Sequence, residues 1–280
     1  MSNCQKLRDL LESERPLVMP DAYDALSARI IEMAGFRAIQ CSGFSMALAS
    51  RAVTETRLSF EENLDITRKI VAAVQVPVMA DGEDGFGGPE RVFDVVAAYV
   101  EAGVSGINIE DQLLGMSETK AIVDCALMEE KICAAREGAR SKGAGDLVLN
   151  ARTDALAVMP DRRAGLDEAI RRGNQYFSTG ADLLFVTGVK TIEEARELVL
   201  QVNGHISIAA GLAYNISAMS VKDLRACGVA RVSLPTIAVL SALEAIRYTL
   251  SIVSESEDFT EITQQGLLAG MDSVAGILGR

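Results

Sequence analysis

A recurring sequence pattern constrains the fold of this chain more than any other feature. In each copy a helical pattern closes on a glycine, and a short apolar run follows within two to four residues. Glycine just past the last helical turn adopts the left-handed conformation at little cost, so this pattern indicates that a helix ends and a strand follows. Two further runs, at 17–19 and 76–80, bring the number of predicted strands to eight. The glycines of the other six are Gly35, Gly103, Gly145, Gly180, Gly204 and Gly228.

Strands that alternate with helices are parallel and are joined by right-handed crossovers. Eight such units without a linker or a composition break predict an α/β fold, a closed (β/α)8 TIM-type barrel, with an open doubly wound sheet as the competing fold. We expect one domain over residues 1–280, with 252–280 as a C-terminal helical extension whose acidic start at 254–258 forms an exposed turn. An apolar helical face there must pack on something, another subunit being one option; it comprises Leu267, Leu268, Met271, Val274 and Leu278.

Charge and cysteine content narrow the class of protein. The chain has 27 basic and 39 acidic residues, a net charge of −12, which disfavours nucleic acid and anionic membranes as partners. Its five cysteines include no Cys-x-x-Cys pair, which indicates reduced thiols and argues against a zinc cluster. The N-terminus has no apolar signal core, and no uninterrupted apolar run reaches membrane length. We therefore expect a cytoplasmic protein.

Polar residues concentrate where the predicted strands end, although the strand bodies are apolar. The clearest case is the run at 76–80, which leads into Asp81, Glu83 and Asp84 and then a glycine-rich loop before a helix that starts at Pro89. Barrel chemistry gathers at this rim, because the loops that follow the strands converge there. The other strand ends carry Asp21, Tyr23, Asp24, Gln40, Cys41, Ser42, Gly43, Glu110, Asp111, Asn150, Arg152, Thr153, Asp154 and Thr187.

Three of these acids predict a metal site. Asp81 and Glu83 are two apart and share a face if the strand continues, and Glu110 closes the next strand, about 4.8 Å away. Carboxylates that converge in this way repel one another unless a cation lies among them. Oxygen ligands without histidine or cysteine favour Mg²⁺, with Mn²⁺ also possible. The competing interpretation is a structural network in which Arg152 and nearby lysines neutralise the acids.

Other familiar chemistries lack their residues. The single histidine, His205, precedes its strand and so lies at the opposite end of the barrel, where a structural or surface role is expected. No Gly-x-Ser-x-Gly elbow and no phosphate-binding Gly-x-x-x-x-Gly-Lys-Ser/Thr loop is present. Cys41, beside Ser42, is expected to be packed rather than reactive.

Five segments carry a resemblance to a known superfamily. Together they resemble the isocitrate lyase/phosphoenolpyruvate mutase superfamily, in its phosphoenolpyruvate mutase-like branch, over essentially the whole chain and in the right order. The resemblance implies a barrel with Mg²⁺ at the strand ends that acts on 2-oxo acids, 2-hydroxy dicarboxylates or phosphonates. It also implies a homotetramer in which the C-terminal helix is exchanged between subunits. The segments are Ala-Tyr-Asp-Ala-Leu-Ser-Ala-Arg at 22–29, Cys-Ser-Gly at 41–43, Asp-Gly-Glu-Asp-Gly-Phe-Gly at 81–87, Ile-Glu-Asp-Gln at 109–112 and Asn-Ala-Arg-Thr-Asp at 150–154.

Carried over by residue, the resemblance assigns a metal role to Asp81, Glu83 and Glu110. It places Arg152 where the superfamily binds a substrate anion, as a catalytic as well as a binding residue. Tyr23 is a candidate proton donor or hydrogen-bond partner, with packing under the loops as the alternative. The expected substrate contacts are Ser42, Gly43, Phe44, Asp81, Asn150 and Arg152.

The chain also departs from the superfamily pattern. Glu83 and Asp84 replace the last two residues of the usual Asp-x-Asp-Thr motif. The superfamily's lyases carry a Lys-Lys/Arg-Cys-Gly-His loop, whereas the shorter segment at 112–120 has neither cysteine nor histidine. Thr54 beside Glu55 and Thr187 stand where mutases and phosphonopyruvate hydrolases have an aspartate and a histidine, and Ala210 replaces a lyase asparagine.

Three functions remain open from the sequence. The leading one is a Mg²⁺-dependent enzyme, a lyase above all, that acts on a small 2-oxo or 2-hydroxy (di)carboxylic acid through a metal-stabilised enolate, by C–C cleavage, hydrolysis or decarboxylation. The second breaks or rearranges a C–P bond, as phosphonopyruvate hydrolase or phosphoenolpyruvate mutase does. The third is a barrel that has lost catalysis and binds a metabolite.

Overall fold

Eight parallel strands close into a barrel in the computed structural model, which describes residues 2–51, 58–113, 121–277 and 279. The strands follow one another in sequence order, and the eighth pairs with the first in parallel, Leu17 opposite Arg231. The predicted TIM-like barrel is thereby confirmed, and each of the eight apolar runs overlaps a strand. The strands are β1 Leu17–Ala22, β2 Ile39–Cys41, β3 Val78–Asp81, β4 Gly106–Glu110, β5 Val148–Thr153, β6 Leu183–Val186, β7 His205–Ala209 and β8 Arg231–Leu234.

Helices surround the barrel and connect its strands. Several helices begin with a capping box, for example at Ser59 and Thr191. The side chain of each accepts the backbone N–H of the glutamate three residues later, and the carboxylate of that glutamate accepts the backbone N–H of the capping residue. In the described ranges the helices are α1 Asn3–Ser13, α2 Ala25–Met33, α3 Gly43–Arg51, α4 Phe60–Ala73, α5 Pro89–Glu101, α6 Cys125–Ser141, α7 Ala155–Val158, α8 Arg162–Thr179, α9 Ile192–Gln201, α10 Val221–Cys227, α11 Ile237–Ser256, α12 Thr260–Gln264 and α13 Met271–Ile277.

The strand register brings polar residues of neighbouring strands to one level near the rim. Asp81 lies opposite Asn108, and Asn108 lies opposite Asn150. Two residues further along, Glu110 is opposite Arg152. Parallel pairing therefore produces the convergence of strand ends that the sequence predicts.

The barrel interior contains a charged residue that the sequence analysis did not single out. Arg231 of β8 is fully buried, and its guanidinium donates to Ser207 Oγ at 2.7 Å, to Gln40 Oε1 at 2.5 Å and to Met19 Sδ at 3.2 Å. Burial lowers its pKa to about 10, although Asp21 and Asp81 favour the charged form. These contacts join β8 to β7, β2 and β1 across the interior.

The C-terminal region differs in detail from the expectation. Helix α11 continues to Ser256, so it crosses position 252, and the chain turns only at Glu257, which has φ 54°. Leu267 and Leu268 lie before α13, and Leu278 lies outside the described residues. Helix α13 contacts α2 of its own chain, where Arg29 Nε donates to the Ile277 carbonyl at 3.2 Å. The exchange of this region between subunits stays a prediction.

Helix α11 is long and apolar enough to cross a membrane, judged by length and composition, and it is the one such helix within the described ranges. Its mean hydropathy is 1.5, and 11% of it is buried. Near its centre Arg247 forms an ion pair with Glu244, so the apolar run is interrupted. By length and composition alone, α11 is therefore an exception to the expectation that no segment of the chain could span a membrane.

Helices α5 and α6 approach closely because Gly138 has no side chain. A Cβ at Gly138 would lie 2.4 Å from the Phe93 carbonyl oxygen, and a backbone atom cannot move aside as a flexible side chain can. We therefore expect Gly138→Ala to lower the free energy of unfolding by about 1–3 kcal/mol, measured by urea denaturation. The matched Gly145→Ala meets only Arg140 Cγ at 3.7 Å and should change it by less than about 0.5 kcal/mol. Equal midpoints for the two variants would contradict this account of the packing.

Candidate active site

A cavity of about 370 Å³ opens at the carboxyl ends of the strands. Grooves of about 490 and 870 Å³ lie elsewhere on the surface, but the rim cavity takes residues from every strand or from the loop after it. It combines three acids and an arginine with hydroxyl and apolar side chains. Its lining comprises Asp21, Ser42, Phe44, Asp81, Asn108, Arg152, Asp154, Ala157, Phe185, Thr187, Gly188, Ala209, Leu212, Tyr214, Ser233, Pro235 and Thr236.

Gly43 makes room for two carboxylates beside the cavity. Its N–H, at the start of α3, donates to Asp81 Oδ2 at 2.9 Å, and the Glu83 N–H approaches Asp81 Oδ1 at 3.3 Å. A Cβ at Gly43 would lie 2.1 Å from Glu83 Oε1 and 3.2 Å from Asp81 Oδ2. Glu83 adopts φ 51°, in the left-handed region, so the chain leaves the extended path directly after Asp81. Asp81 and Glu83 nevertheless meet, because both carboxylates turn toward the backbone of Gly43.

Two carboxylates hold the guanidinium of Arg152. Asp154 accepts from Arg152 Nε at 2.9 Å and from Nη2 at 3.2 Å, and Glu110 Oε2 lies 2.5 Å from Nη1. The Arg152 guanidinium carbon also lies 5.6 Å from the centre of the Phe185 ring. The pair of Arg152 with Glu110 is the contact that the competing structural network predicts, whereas the bidentate contact with Asp154 fixes the direction of the guanidinium.

The donor chemistry of the rim fits a hard divalent cation. Asp81 faces the cavity, and its neighbours there are oxygen donors rather than histidine or cysteine. Among the described residues, however, no three His, Cys, Asp or Glu side chains are gathered closely enough to hold a metal ion. Asp81 and Glu83 adjoin each other, but Glu110 is engaged with Arg152. A metal site formed by Asp81, Glu83 and Glu110 together therefore stays a prediction.

The family model described as phosphoenolpyruvate phosphomutase matches residues 7–254. The chain belongs to this family. It is thereby a member of the phosphoenolpyruvate mutase/isocitrate lyase superfamily, as the sequence motifs predicted.

Individual relatives represent more than one chemistry. The chain is 36% identical to the petal death protein of Dianthus caryophyllus over 201 residues, 70% of this chain and 61% of that protein. It is 32% identical to 2,3-dimethylmalate lyase of Eubacterium barkeri over 210 residues, 73% and 70% of the two chains. A phosphonopyruvate hydrolase solved with oxalate and Mg²⁺ has a TM-score of 0.85 and 29% identity, with 100% of this chain and 95% of that one covered. The match thus spans about three fifths of the length of the petal death protein.

The remaining predicted substrate contacts of this family member are divided between the cavity and its surroundings. Ser42 and Phe44 line the cavity, whereas the Gly43 N–H is engaged by Asp81. Asn150 is fully buried, and its Nδ2 donates to Asn108 Oδ1 at 2.8 Å. It therefore contacts a residue of the cavity lining rather than the cavity itself.

Tyr23 lies apart from the cavity lining. Its half-buried ring packs on the core that β2, α2 and α4 share, and burial raises its pKa. This placement matches the packing alternative, and a proton-donor role for Tyr23 stays a prediction. Thr54, Glu55 and residues 114–120, on which the comparison with superfamily loops depended, lie outside the described residues.

Two sequence interpretations are confirmed. Cys41 is fully buried in the same core, and burial raises the pKa of its thiol well above the usual value, so the side chain is packed. His205 begins β7, at the end of the barrel opposite to the cavity, where its Nε2 lies 3.3 Å from Glu12 Oε1.

Several site residues were missed. Asp154 and Asp21 appeared only as polar strand ends, yet Asp154 clamps Arg152 and Asp21 lines the cavity with its Oδ1 accepting the Leu234 N–H at 3.1 Å. Burial raises the pKa of Asp21 well above its ordinary value. Tyr214, in the loop after β7, also lines the cavity, and no local motif marks it.

The environments of the cysteines predict a labelling pattern. Burial raises the pKa of Cys4 to about 11 and that of Cys41 further, whereas Cys133 is exposed. At pH 8 we expect a maleimide to modify Cys133 within minutes and to leave Cys4 and Cys41 unmodified until the protein is unfolded, as read by peptide mass spectrometry. Rapid labelling of Cys41 in the folded protein would mean that it is reactive rather than packed.

Proposed function

We propose that this protein is a Mg²⁺-dependent lyase that cleaves a C–C bond in a small 2-oxo or 2-hydroxy (di)carboxylic acid. The observation that carries the proposal is the placement of Asp81 and the clamped Arg152 in one cavity at the barrel rim. Its volume of about 370 Å³ is at the small end of ligand pockets, which suits a compact acid. The relative from Eubacterium barkeri is named for a C–C lyase activity on such an acid.

The chain's own residues supply the binding half of this chemistry. Arg152, oriented by Asp154, presents a planar guanidinium that suits a carboxylate. Asp81 would hold the Mg²⁺, with Glu83 and Glu110 as the further predicted acids. When bound, the ion would supply positive charge to the 2-oxo or 2-hydroxy acid and to the enolate formed from it. In a 2-hydroxy diacid, loss of the hydroxyl proton and cleavage of the C2–C3 bond would give a 2-oxo acid and the enolate of the second acid, whose negative charge requires such compensation. Hydrolysis and decarboxylation of the same acids also form a negatively charged enolate, so both reactions remain within the proposal.

A C–P bond enzyme is the second candidate. It is favoured by the likeness to phosphonopyruvate hydrolase, whose structure contains oxalate and Mg²⁺. Phosphorus NMR with phosphonopyruvate separates the two, because only C–P chemistry changes the phosphorus resonance. Oxalate binding with Mg²⁺ and no turnover on a broad panel of acids would instead indicate a barrel that binds a metabolite without catalysis.

Removal of Asp81 tests the proposal directly. We expect Asp81→Ala to lose Mn²⁺ binding, followed by electron paramagnetic resonance, and to reduce product release from a panel of substituted malates by about 1000-fold or more. The control Asp94→Ala removes an exposed carboxylate from α5 and should leave both unchanged. Full metal binding and activity without Asp81 would end the proposal.

We also propose that the protein is cytoplasmic and forms a homotetramer through α11. Leu240, Leu243, Ile246 and Leu250 follow one another at helical spacing and are 45–62% exposed in the single chain. A row of apolar side chains of this kind is typical of a protein–protein contact. The surface is compatible with a homotetramer, although the sequence prediction assigned the subunit contact to the C-terminal extension at 252–280.

Sedimentation tests the assembly. We expect the wild-type protein to sediment at about four times the chain mass of 29.9 kDa, and the double variant Leu243→Glu with Ile246→Glu to sediment as a smaller species. Leu200→Glu, which changes an isolated exposed leucine on α9, should keep the wild-type mass. A wild-type monomer would refute the proposed tetramer.

A further inference from the structure

The buried carboxylate of Asp111 joins two elements behind the cavity. Its Oδ2 accepts the Tyr176 hydroxyl at 2.8 Å and Arg172 Nη1 at 3.1 Å, both from α8. Its Oδ1 accepts the backbone N–H of Asp154 at 3.0 Å, directly after β5. Asp111 is 0% exposed and the Arg172 side chain 7%, so the charged contact is shielded from water. Both oxygens of Asp111 are therefore fixed, one by a helix and one by the end of a strand.

The same group anchors the chain on both sides of residues 114–120. The Asp111 carbonyl accepts the Val123 N–H at 2.8 Å, and the Val123 carbonyl accepts Arg172 Nη1 at 2.9 Å. Beyond them, the Leu113 N–H donates to the Ala121 carbonyl at 2.8 Å. Arg172 thus bonds to the side chain of Asp111, before residues 114–120, and to the backbone carbonyl of Val123, after them.

The contacts of Asp111 lead to Arg152 by two routes. The Asp111 N–H donates to the Arg152 carbonyl at 3.1 Å, which ties the backbone of β5 to the end of β4. Asp154, held through its N–H by Asp111, supplies the bidentate contact to the guanidinium. Glu110, the residue before Asp111, holds the other side of the same guanidinium. Both carboxylates that orient Arg152 therefore belong to residues that are tied to Asp111. Asp154 bonds to Asp111 through its backbone N–H, and Glu110 directly precedes Asp111 in the chain.

Tyr176 and Arg172 are not among the residues that line the cavity, so an effect of either on ligand binding is indirect, and their bonds to Asp111 supply a route to Arg152. We propose that Tyr176 and Arg172 are positioning residues that set the direction of the Arg152 guanidinium through Asp111 and Asp154. The inference rests on the proposed function in that Arg152 is taken to bind the substrate carboxylate. It adds two residues on α8 to the machinery of the site, neither of which any family motif in the sequence marks.

Tyr176→Phe is the informative variant, because it keeps the buried ring and removes only the hydroxyl. We expect oxalate, titrated calorimetrically in saturating Mg²⁺, to bind about fivefold to tenfold more weakly to this variant, while the Mn²⁺ affinity without oxalate changes by less than about twofold. Leu11→Val serves as a control for lost stability, since Leu11 is buried at the opposite end of the barrel and should leave both affinities unchanged. Equal loss of metal and oxalate affinity would point to general damage and would overturn the inference.

A double-mutant cycle shows whether Tyr176 acts through Arg152. Arg152→Lys removes the planar guanidinium, so Tyr176→Phe added to it should weaken oxalate binding by less than about twofold. If the two effects multiply in full, Tyr176 acts on the site by another route and the inference is wrong.

A readout without ligand keeps this inference separate from the proposed function. In a crystal structure of Tyr176→Phe we expect the Arg152 guanidinium to move by more than about 0.5 Å relative to the wild-type protein. An unmoved guanidinium would overturn the inference whatever oxalate does. If the wild-type protein fails to bind oxalate with Mg²⁺, the proposed function fails, while a moved guanidinium would still support the positioning role.

Discussion

The burial of charge at one end of the barrel is the constraint on which the rest of this structure depends. A carboxylate or guanidinium taken out of water loses several kcal/mol of hydration free energy, and a buried ion that loses its partner destabilises a protein by about 3–5 kcal/mol. The elements that meet at the rim must therefore place opposite charges and N–H groups within hydrogen-bond distance of one another. The acids there, each less than 8% exposed, are Asp21, Asp81, Glu83, Glu110, Asp111 and Asp154.

The negative charge of these acids is compensated by groups from several helices and strands rather than by one cation. Arg152 serves Glu110 and Asp154, and Arg172 of α8 serves Asp111. Asp81 relies on backbone N–H groups at the start of α3 and in its own loop. Arg231 lies deeper in the barrel and favours the anionic form of Asp21 without a direct ion pair among the described contacts. Strands and helices are thus joined by the same contacts that make the acids tolerable.

The barrel could be predicted because its signals are local. Gly228, for example, ends α10 with φ 89°, in the left-handed conformation that its position after a helical pattern predicts. The next strand follows at Arg231, within the expected spacing. The meeting of Asp81 with residues of β4 and β5 also followed, since parallel strands in sequence order bring their carboxyl ends together.

The partners of each charge could not be predicted, because they depend on rotamers and on residues far apart in the chain. Tyr176 and Asp111 are 65 residues apart, and no motif links them. The spacing predicts that Glu110 joins Asp81 and Glu83, whereas the observed contact of its Oε2 is with Arg152 Nη1, at 2.5 Å. Arg231 begins the short strand Arg-Val-Ser-Leu, and the sequence pattern carries no sign that its side chain bonds to Ser207 and Gln40 inside the barrel.

The balance of charge in the cavity bears on the order in which ligands bind. Of the described residues that line it, Asp21, Asp81 and Asp154 are acids and Arg152 is a cation. Arg152 already lies against Asp154 and Glu110, so its positive charge is largely balanced before a ligand arrives. A dicarboxylate that enters this cavity alone would meet the negative charge of Asp81, which the N–H groups of Gly43 and Glu83 offset only in part, and this weakens its binding. A divalent cation bound first at Asp81 would reverse that local charge, so that an incoming carboxylate would be attracted by the ion as well as by Arg152. Under the proposed function, the acids and the arginine would therefore favour binding of the metal before the anion.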